Sequence, residues 1–238
     1  MTVNLSALHT RSLVLDVEGT TTPIEFVYKT LFPYARTHAA AYLQREGESA
    51  ACRAALEELR AEQMADRERG EPPPALILDY VGWLMDRDRK SPGLKALQGL
   101  IWQHGFTSGE LQGQVYPDVP VAFEQWTRRG LKIYIYSSGS VLAQQLLFGS
   151  TDAGDLTRFL SGYFDTAVGR KTSPDSYSTI VARVQIAPRE LLFVSDVLDE
   201  LNAAKGAGLR TALCIRGQEA HETSHSHPVI RSFHEIVD

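Results

Sequence analysis

Positive charge is in short supply in this sequence: 24 lysines and arginines stand against 29 aspartates and glutamates, a formal net charge of −5. Binding along a DNA or RNA backbone needs a basic face, so no nucleic-acid partner is expected, and a small anionic ligand must be met by a local basic group. Cysteine is scarcer still. Cys52 falls in a helix-like segment and Cys214 in a strand-like one; with no partner at metal-ligand spacing, both read as buried thiols. No apolar stretch is long enough to span a bilayer, and Met1 to Thr10 lacks the basic start and apolar run of a signal peptide. No membrane partner is therefore expected, and the expected location is cytoplasmic. The chain also lacks internal repeats and a Walker sequence. Gly206-Ala207-Gly208 follows a helical pattern rather than opening one, which suits a helix C-cap and not a dinucleotide loop.

What is present fits a packed enzyme-sized fold. The 238 residues are 43% apolar and 22% charged, enough for one α/β domain with a sizeable insertion. Both ends of the chain alternate short β-rich runs with helices, whereas the middle is helical almost throughout. Ser12-Leu13-Val14-Leu15 reads as a buried parallel strand delivering Asp16 into a loop with Gly19 and three threonines. From Phe26 to about Gly113 the patterns are helical, interrupted at Gly47, Gly70, Pro72 to Pro74, Ser91-Pro92-Gly93 and Gly105. Val115 to Val119 reads as a hinge and Val121 to Arg129 as a helix. Further strands are expected at Leu131 to Tyr136, Phe164 to Val168, Leu191 to Ser195 and, last, Thr211 to Ile215. Intervening helices at Ser140 to Phe148, Pro174 to Val184 and Leu198 to Ala207 make these βα units of a parallel sheet. The domains expected are a core of residues 1–24 and 116–238 and a helical cap of residues 25–115. The charged stretch Arg53 to Arg69 reads as a solvated helix face, and His221, His225 and His227 as a solvated surface loop.

In open parallel sheets the carboxyl edge of the strands forms the ligand crevice. Asp16 and Glu18 follow the first of these strands, Ser137 to Ser140 the second, Lys171 the third, and Asp196, Asp199 and Glu200 the fourth. A carboxylate can attack a phosphate ester only when a cation bridges the two and the remaining oxygens are neutralised. Asp16 and Asp196 could hold that cation; hard oxygen ligands on an incomplete shell suit Mg²⁺. Lys171 could neutralise the phosphoryl group, Ser137, Ser138 and the amides near Gly139 could cradle it, and Glu18 could protonate a leaving oxygen and then activate water. Each residue alone has a plainer reading. Asp16 could be a turn residue, the serines helix caps, Lys171 a solvated side chain, and the acidic trio a complement to a helix N-terminus. Four strand ends that supply nucleophile, hydroxyl, cation and metal ligand together are not predicted by those readings.

Asp16-Val17-Glu18-Gly19-Thr20, Ser137, Lys171 and Asp196 resemble the four motifs of the haloacid dehalogenase superfamily, with glutamate at position 18 where aspartate is usual. Within it, Asp16 to Pro23, Tyr136-Ser137-Ser138-Gly139-Ser140 and Lys171-Thr172 are similar to the acireductone synthases, the enolase-phosphatases of methionine salvage. The resemblance implies a Rossmann-like parallel core with an inserted helical cap, Mg²⁺ as cofactor, and a monomer. The implied substrate is 2,3-diketo-5-methylthiopentyl-1-phosphate, enolised and then dephosphorylated to 1,2-dihydroxy-3-keto-5-methylthiopentene. Carried over by position, Asp16 and Asp196 hold Mg²⁺ through carboxylates and Glu18 through its backbone carbonyl, while Ser137, Ser138 and Lys171 bind substrate. Glu18 and Lys171 both stand as bases for the enolisation. A general phosphate-ester phosphatase and a receiver-type phosphoacceptor module are the competing readings; a receiver is shorter and has no helical insertion.

Overall fold

The computed structural model describes residues 2–217 and 225–237. The chain divides into two compact units, one of Met1–Ile24 with Gln112–Asp238 and one of Glu25–Leu111.

The second unit is helical. It is entered through α1 (Ile24–Phe26) and a π-helical turn, Val27–Leu31, that runs into α2 (Phe32–Glu46); α3 (Ala50–Glu68), α4 (Ile77–Asp86) and α5 (Pro92–Ser108) follow. Pro33 in the first turn of α2 has no N–H to give, and the ladder there shifts so that the Phe32 N–H meets the Val27 carbonyl. The Trp102 indole N–H donates to the Leu31 carbonyl at 2.8 Å. Ser49 caps α3 and Ser91 caps α5, the latter with Pro92 at a position where no donor is needed.

The first unit is built on a sheet. Its strands are β1 (Val3–Asn4), β2 (Ser12–Leu15), β3 (Lys132–Tyr136), β4 (Leu160–Phe164), β5 (Leu191–Ser195), β6 (Arg210–Cys214), β7 (Val229–Ile230) and β8 (Ile236–Val237). Six of them form a parallel sheet in the order β4-β3-β2-β5-β6-β7, and β1 pairs with β8 apart from it. The helices α6 (Asp118–Arg128), α7 (Val141–Gly149), α8 (Pro174–Val184) and α9 (Leu198–Gly206) connect its strands. Every residue of β2 is buried, as expected of a central strand covered on both faces, and each such leucine contributes about 1.5–3 kcal/mol of transfer free energy. Register does the positioning. Leu15 lies opposite Ile135 on one side and Val194 on the other, so β2, β3 and β5 end at nearly the same level.

Several sequence expectations need correcting. The third strand is Leu160–Phe164 rather than Phe164 to Val168, because the Asp165 carboxylate accepts from the Ala167 N–H and turns Thr166–Val168 into a 3-10 helix. Helix α6 begins at Asp118, inside the expected hinge, and Thr211 to Ile215 is not the last strand, since the short β7 adds to the sheet edge and β8 pairs beyond it. His227 is not solvated: it is 4% exposed, with Nδ1 against the Thr211 hydroxyl at 2.7 Å and Nε2 against Asn202 at 3.0 Å. His221 lies outside the described residues. Cys52 and Cys214 are buried free thiols, and Gly208, at φ +87°, follows the end of α9 as a cap.

The charged face of α3 also hides an exception. Asp66 is 1% exposed and accepts from the Tyr80 hydroxyl at 2.6 Å, from Arg89 at 2.7 Å and from Arg69. Burial by itself would raise this carboxyl, but the Tyr80 hydrogen bond and the two guanidinium groups hold it below the usual range. A lowered carboxyl pKa contributes stability above the unfolded value of about 3.9 and loses it as pH falls through the folded value. Asp66→Asn is therefore expected to destabilise the helical unit by about 1–3 kcal/mol at neutral pH, discounted because both arginines are partly exposed. Hydrogen exchange of α3 to α5 should register the loss, and its difference from wild type should shrink below about pH 4.

Candidate active site

Asp16 leaves β2 with its N–H still bonded to the Val194 carbonyl at 3.0 Å, so the central strand fixes its backbone. Its carboxylate is 2% exposed and almost fully engaged. One oxygen accepts from the Val17 N–H at 2.8 Å and from the Lys171 ammonium; the other accepts from the Ser195 hydroxyl at 3.1 Å. Lys171, 7% exposed, also meets Glu200 at 2.7 Å, and the Ser195 hydroxyl lies 3.0 Å from that same carboxylate. Lysine burial alone would lower the ammonium pKa, but the two anions outweigh it and raise it, so Lys171 stays charged.

The loop that presents Lys171 is pinned one carbonyl at a time. The Tyr136 hydroxyl donates to Gly169 O at 3.1 Å, Ser176 to Arg170 O at 2.7 Å, and Tyr177 to Lys171 O at 2.7 Å. The serine loop after β3 is held similarly, with the Gln144 amide donating to Gly139 O at 3.0 Å and to Phe164 O at 2.9 Å. There Ser137 is buried, accepts the Gly139 N–H at 3.0 Å, and donates towards Glu18, both of whose oxygens lie 3.4 Å away. Ser140 serves as the N-cap of α7, and Ser138 is exposed.

Asp196 follows β5 and faces the first loop through Gly19. At φ +74° Gly19 occupies the left-handed region, and a Cβ there would lie 2.2 Å from Asp196 Oδ2. Burial, then the charge of Asp16, pushes Asp196 up to about 6 and raises Glu18 as well; Glu200, buried beside Asp16, is pushed up to about 7 in spite of Lys171. One ammonium thus serves four carboxylates, and Asp196 Oδ1 is buried with no hydrogen-bond partner. Surplus negative charge, an orphaned carboxylate oxygen and an all-oxygen donor set fit a hard divalent cation. Among the described residues no three His, Cys, Asp or Glu side chains form a metal cage.

The residues of this site lie within the span that a known family matches. A family model for haloacid dehalogenase-like hydrolases matches residues 10–208. Enolase-phosphatase E1 of Synechococcus elongatus is 49% identical over 231 residues, covering 94% of this chain and 97% of that protein. The chain belongs to the enolase-phosphatase E1 family of haloacid dehalogenase-like hydrolases. Enolase-phosphatase E1 of an Enterobacter species is 47% identical over 227 residues, with 95% and 96% of the two chains covered. Among solved structures, the UTR4 protein of Saccharomyces cerevisiae is similar at 33% identity and a TM-score of 0.76, covering 94% of this chain and 98% of that one.

Of the sequence-derived candidates, the fold joins Asp16 to Lys171 and Glu18 to Ser137, and brings Asp196 against the first loop. What residue order left open was which member of the acidic trio belongs here: Glu200 reaches Lys171 whereas Asp199 is exposed. Ser195, last residue of β5, joins the site without a sequence signal, because a serine ending a buried strand carries no distinctive pattern. Gly19→Ala offers a direct check, since the added methyl must displace either the loop or Asp196. Turnover of a phosphate ester is expected to fall by about 10²-fold, the usual effect of a misplacement near 1 Å, while the circular dichroism spectrum stays native.

Proposed function

We propose that this protein enolises 2,3-diketo-5-methylthiopentyl-1-phosphate and then hydrolyses its phosphate ester, with Mg²⁺ as cofactor and Asp16 as nucleophile. The observation that carries the reading is the pairing of a strand-fixed Asp16 carboxylate, held by Lys171, with a half-buried Glu18, two residues on, that Ser137 meets. The names of its relatives support the same chemistry. Asp16, Asp196 and the Glu18 carbonyl would hold Mg²⁺, which when bound supplies the positive charge that lets a carboxylate approach a phosphate dianion.

The chain's own groups divide the steps among them. Lys171, kept protonated by Asp16 and Glu200, binds the phosphoryl oxygens with Ser137 and Ser138 and is a poor base. Glu18, whose carboxyl is raised above the usual range by burial and then by the neighbouring charge of Asp16, is suited to proton transfer. It takes the proton from the carbon bearing the phosphate ester, and the resulting enolate oxygen is protonated by solvent. Asp16 then forms an O–P bond as the bond from phosphorus to the ester oxygen breaks, and the proton on Glu18 goes to that oxygen. The Glu18 carboxylate next takes a proton from water as the water oxygen attacks phosphorus, which breaks the Asp16 ester and releases phosphate. The helical unit is proposed as the cap domain, and the enzyme as a cytoplasmic monomer. A general phosphate-ester phosphatase is the alternative that assay of the diketo-phosphate beside a phosphate-ester panel separates.

Rapid quench of the Mg²⁺-loaded protein with phosphorus-labelled substrate should place label on Asp16, and none should appear after chelation or in Asp16→Asn; label on Ser137 would reassign the nucleophile. The base is checked with a phosphonate analogue in which carbon replaces the bridging oxygen. Wild type should exchange the acidic protons of the analogue with solvent deuterium, and Glu18→Gln should bind the analogue but lose exchange. Exchange at the wild-type rate in Glu18→Gln would move the role to Lys171.

A further inference from the structure

Arg216 lies two residues beyond β6, on a strand end to which the chemistry above assigns nothing. Its side chain is 8% exposed. Nε and one terminal nitrogen both donate to a single acceptor, the Thr20 carbonyl, at 2.9 and 2.7 Å. The other terminal nitrogen meets Asp118 Oδ2 at 2.6 Å. Asp118 is itself fixed by the Ser232 hydroxyl at 2.8 Å and the Phe233 N–H at 2.5 Å, and the guanidinium lies 4.3 Å from the ring centroid of Tyr116 and 4.6 Å from that of Phe233. A planar cation fixed by an acid at one edge and aromatic rings on its faces has little freedom, so it holds whatever it grips at the other edge.

What it grips is the loop that bears Glu18. Asp16 is fixed by β5 through Val194; on the far side of Glu18 the chain makes a tight turn in which the Thr20, Thr21 and Thr22 N–H groups all converge on Val17 O. Arg216 takes the Thr20 carbonyl of that turn, and Tyr116 N–H takes the next one, Thr21 O, at 3.0 Å. Glu18 therefore stands in a five-residue span, Asp16 to Thr20, anchored at one end by the sheet and at the other by Arg216.

We propose that Arg216, oriented by Asp118, is a positioning residue that holds Glu18 in register for proton transfer while leaving the placement of Asp16 to the sheet. This rests on the acid-base role of Glu18 given above. The consequence is selective. Loosening Thr20 should impair protonation of the leaving oxygen more than nucleophilic attack, because the Glu18 carboxyl moves with the loop whereas Asp16 stays on the sheet, so harm should depend on how much the departing group needs a proton.

The test measures kcat/KM, which reports the steps through release of the leaving group, for a simple alkyl phosphate and for p-nitrophenyl phosphate, whose phenolate leaves unprotonated. In Arg216→Lys at saturating Mg²⁺, which keeps the charge opposite Asp118 but not the two-pronged grip on Thr20, the fall in kcat/KM should be on the order of tenfold or more greater for the alkyl ester than for the aryl one. Asp118→Asn, which retains Arg216 but releases its orientation, should show the same selectivity more weakly, and it answers the question if Arg216→Lys does not fold. Glu18→Gln, run alongside, should show the selectivity most strongly. Equal losses on both esters in Arg216→Lys and Asp118→Asn, with Glu18→Gln selective, would overturn the positioning role alone. Equal losses in Glu18→Gln would overturn the acid role, and the inference with it.

Discussion

The site depends on one buried cation. Lys171 stands between Asp16 and Glu200 with scarcely any water near it, and the arrangement is poor as a source of stability. Two opposite charges 4 Å apart gain about 4 kcal/mol at an effective dielectric near 20, while removing each ion from water costs several. The sum is close to nothing. What the contact achieves is placement: an ammonium whose proton is held more firmly than usual, set against the carboxylate at the end of the central strand. The hydroxyls of Tyr136, Ser176 and Tyr177 on three consecutive carbonyls are the structural cost of keeping it there.

The same cation leaves the charge balance unfinished. Glu18 and Asp196 add two more carboxyl groups to the edge where Asp16 and Glu200 already share one lysine, and three of the four are raised towards their neutral forms. That imbalance suits a cation between Asp16 and Asp196, and it suits proton transfer at Glu18, so the repulsion among carboxylates serves both demands. Gly19 is what permits the crowding, because no side chain fits between the first loop and Asp196. Arg216 lies outside this set of charges and acts on the backbone instead, through Thr20 O.

Legibility followed physical range. Leu13-Val14-Leu15 announces a doubly covered strand in its own composition, and Pro174 and Ser91-Pro92 mark helix starts by local chemistry. The displaced third strand shows the limit. Leu160-Ser161-Gly162-Tyr163-Phe164 is a weak strand by composition and is strand only because β3 pairs with it, whereas Thr166–Val168 has the better composition and is bent away by Asp165. His227 and Asp66 were misplaced for a related reason: polar neighbours in sequence say nothing about the partners, Asn202 and Tyr80, that fill their hydrogen bonds in space.

By itself the sequence determined the family, the α/β class and the residue types at each strand end, since strand periodicity and the run from Asp16 to Pro23 are local properties of the chain. Only the tertiary structure decided that Glu200 and not Asp199 reaches Lys171, that Ser195 joins Asp16, and that Arg216, 196 residues away from Thr20 in sequence, closes on its carbonyl. A helix turns 100° per residue, so adjacent acids face different ways, and a carbonyl has no side-chain identity by which a sequence could mark it. Such contacts exist only once parallel pairing has brought the strand ends level.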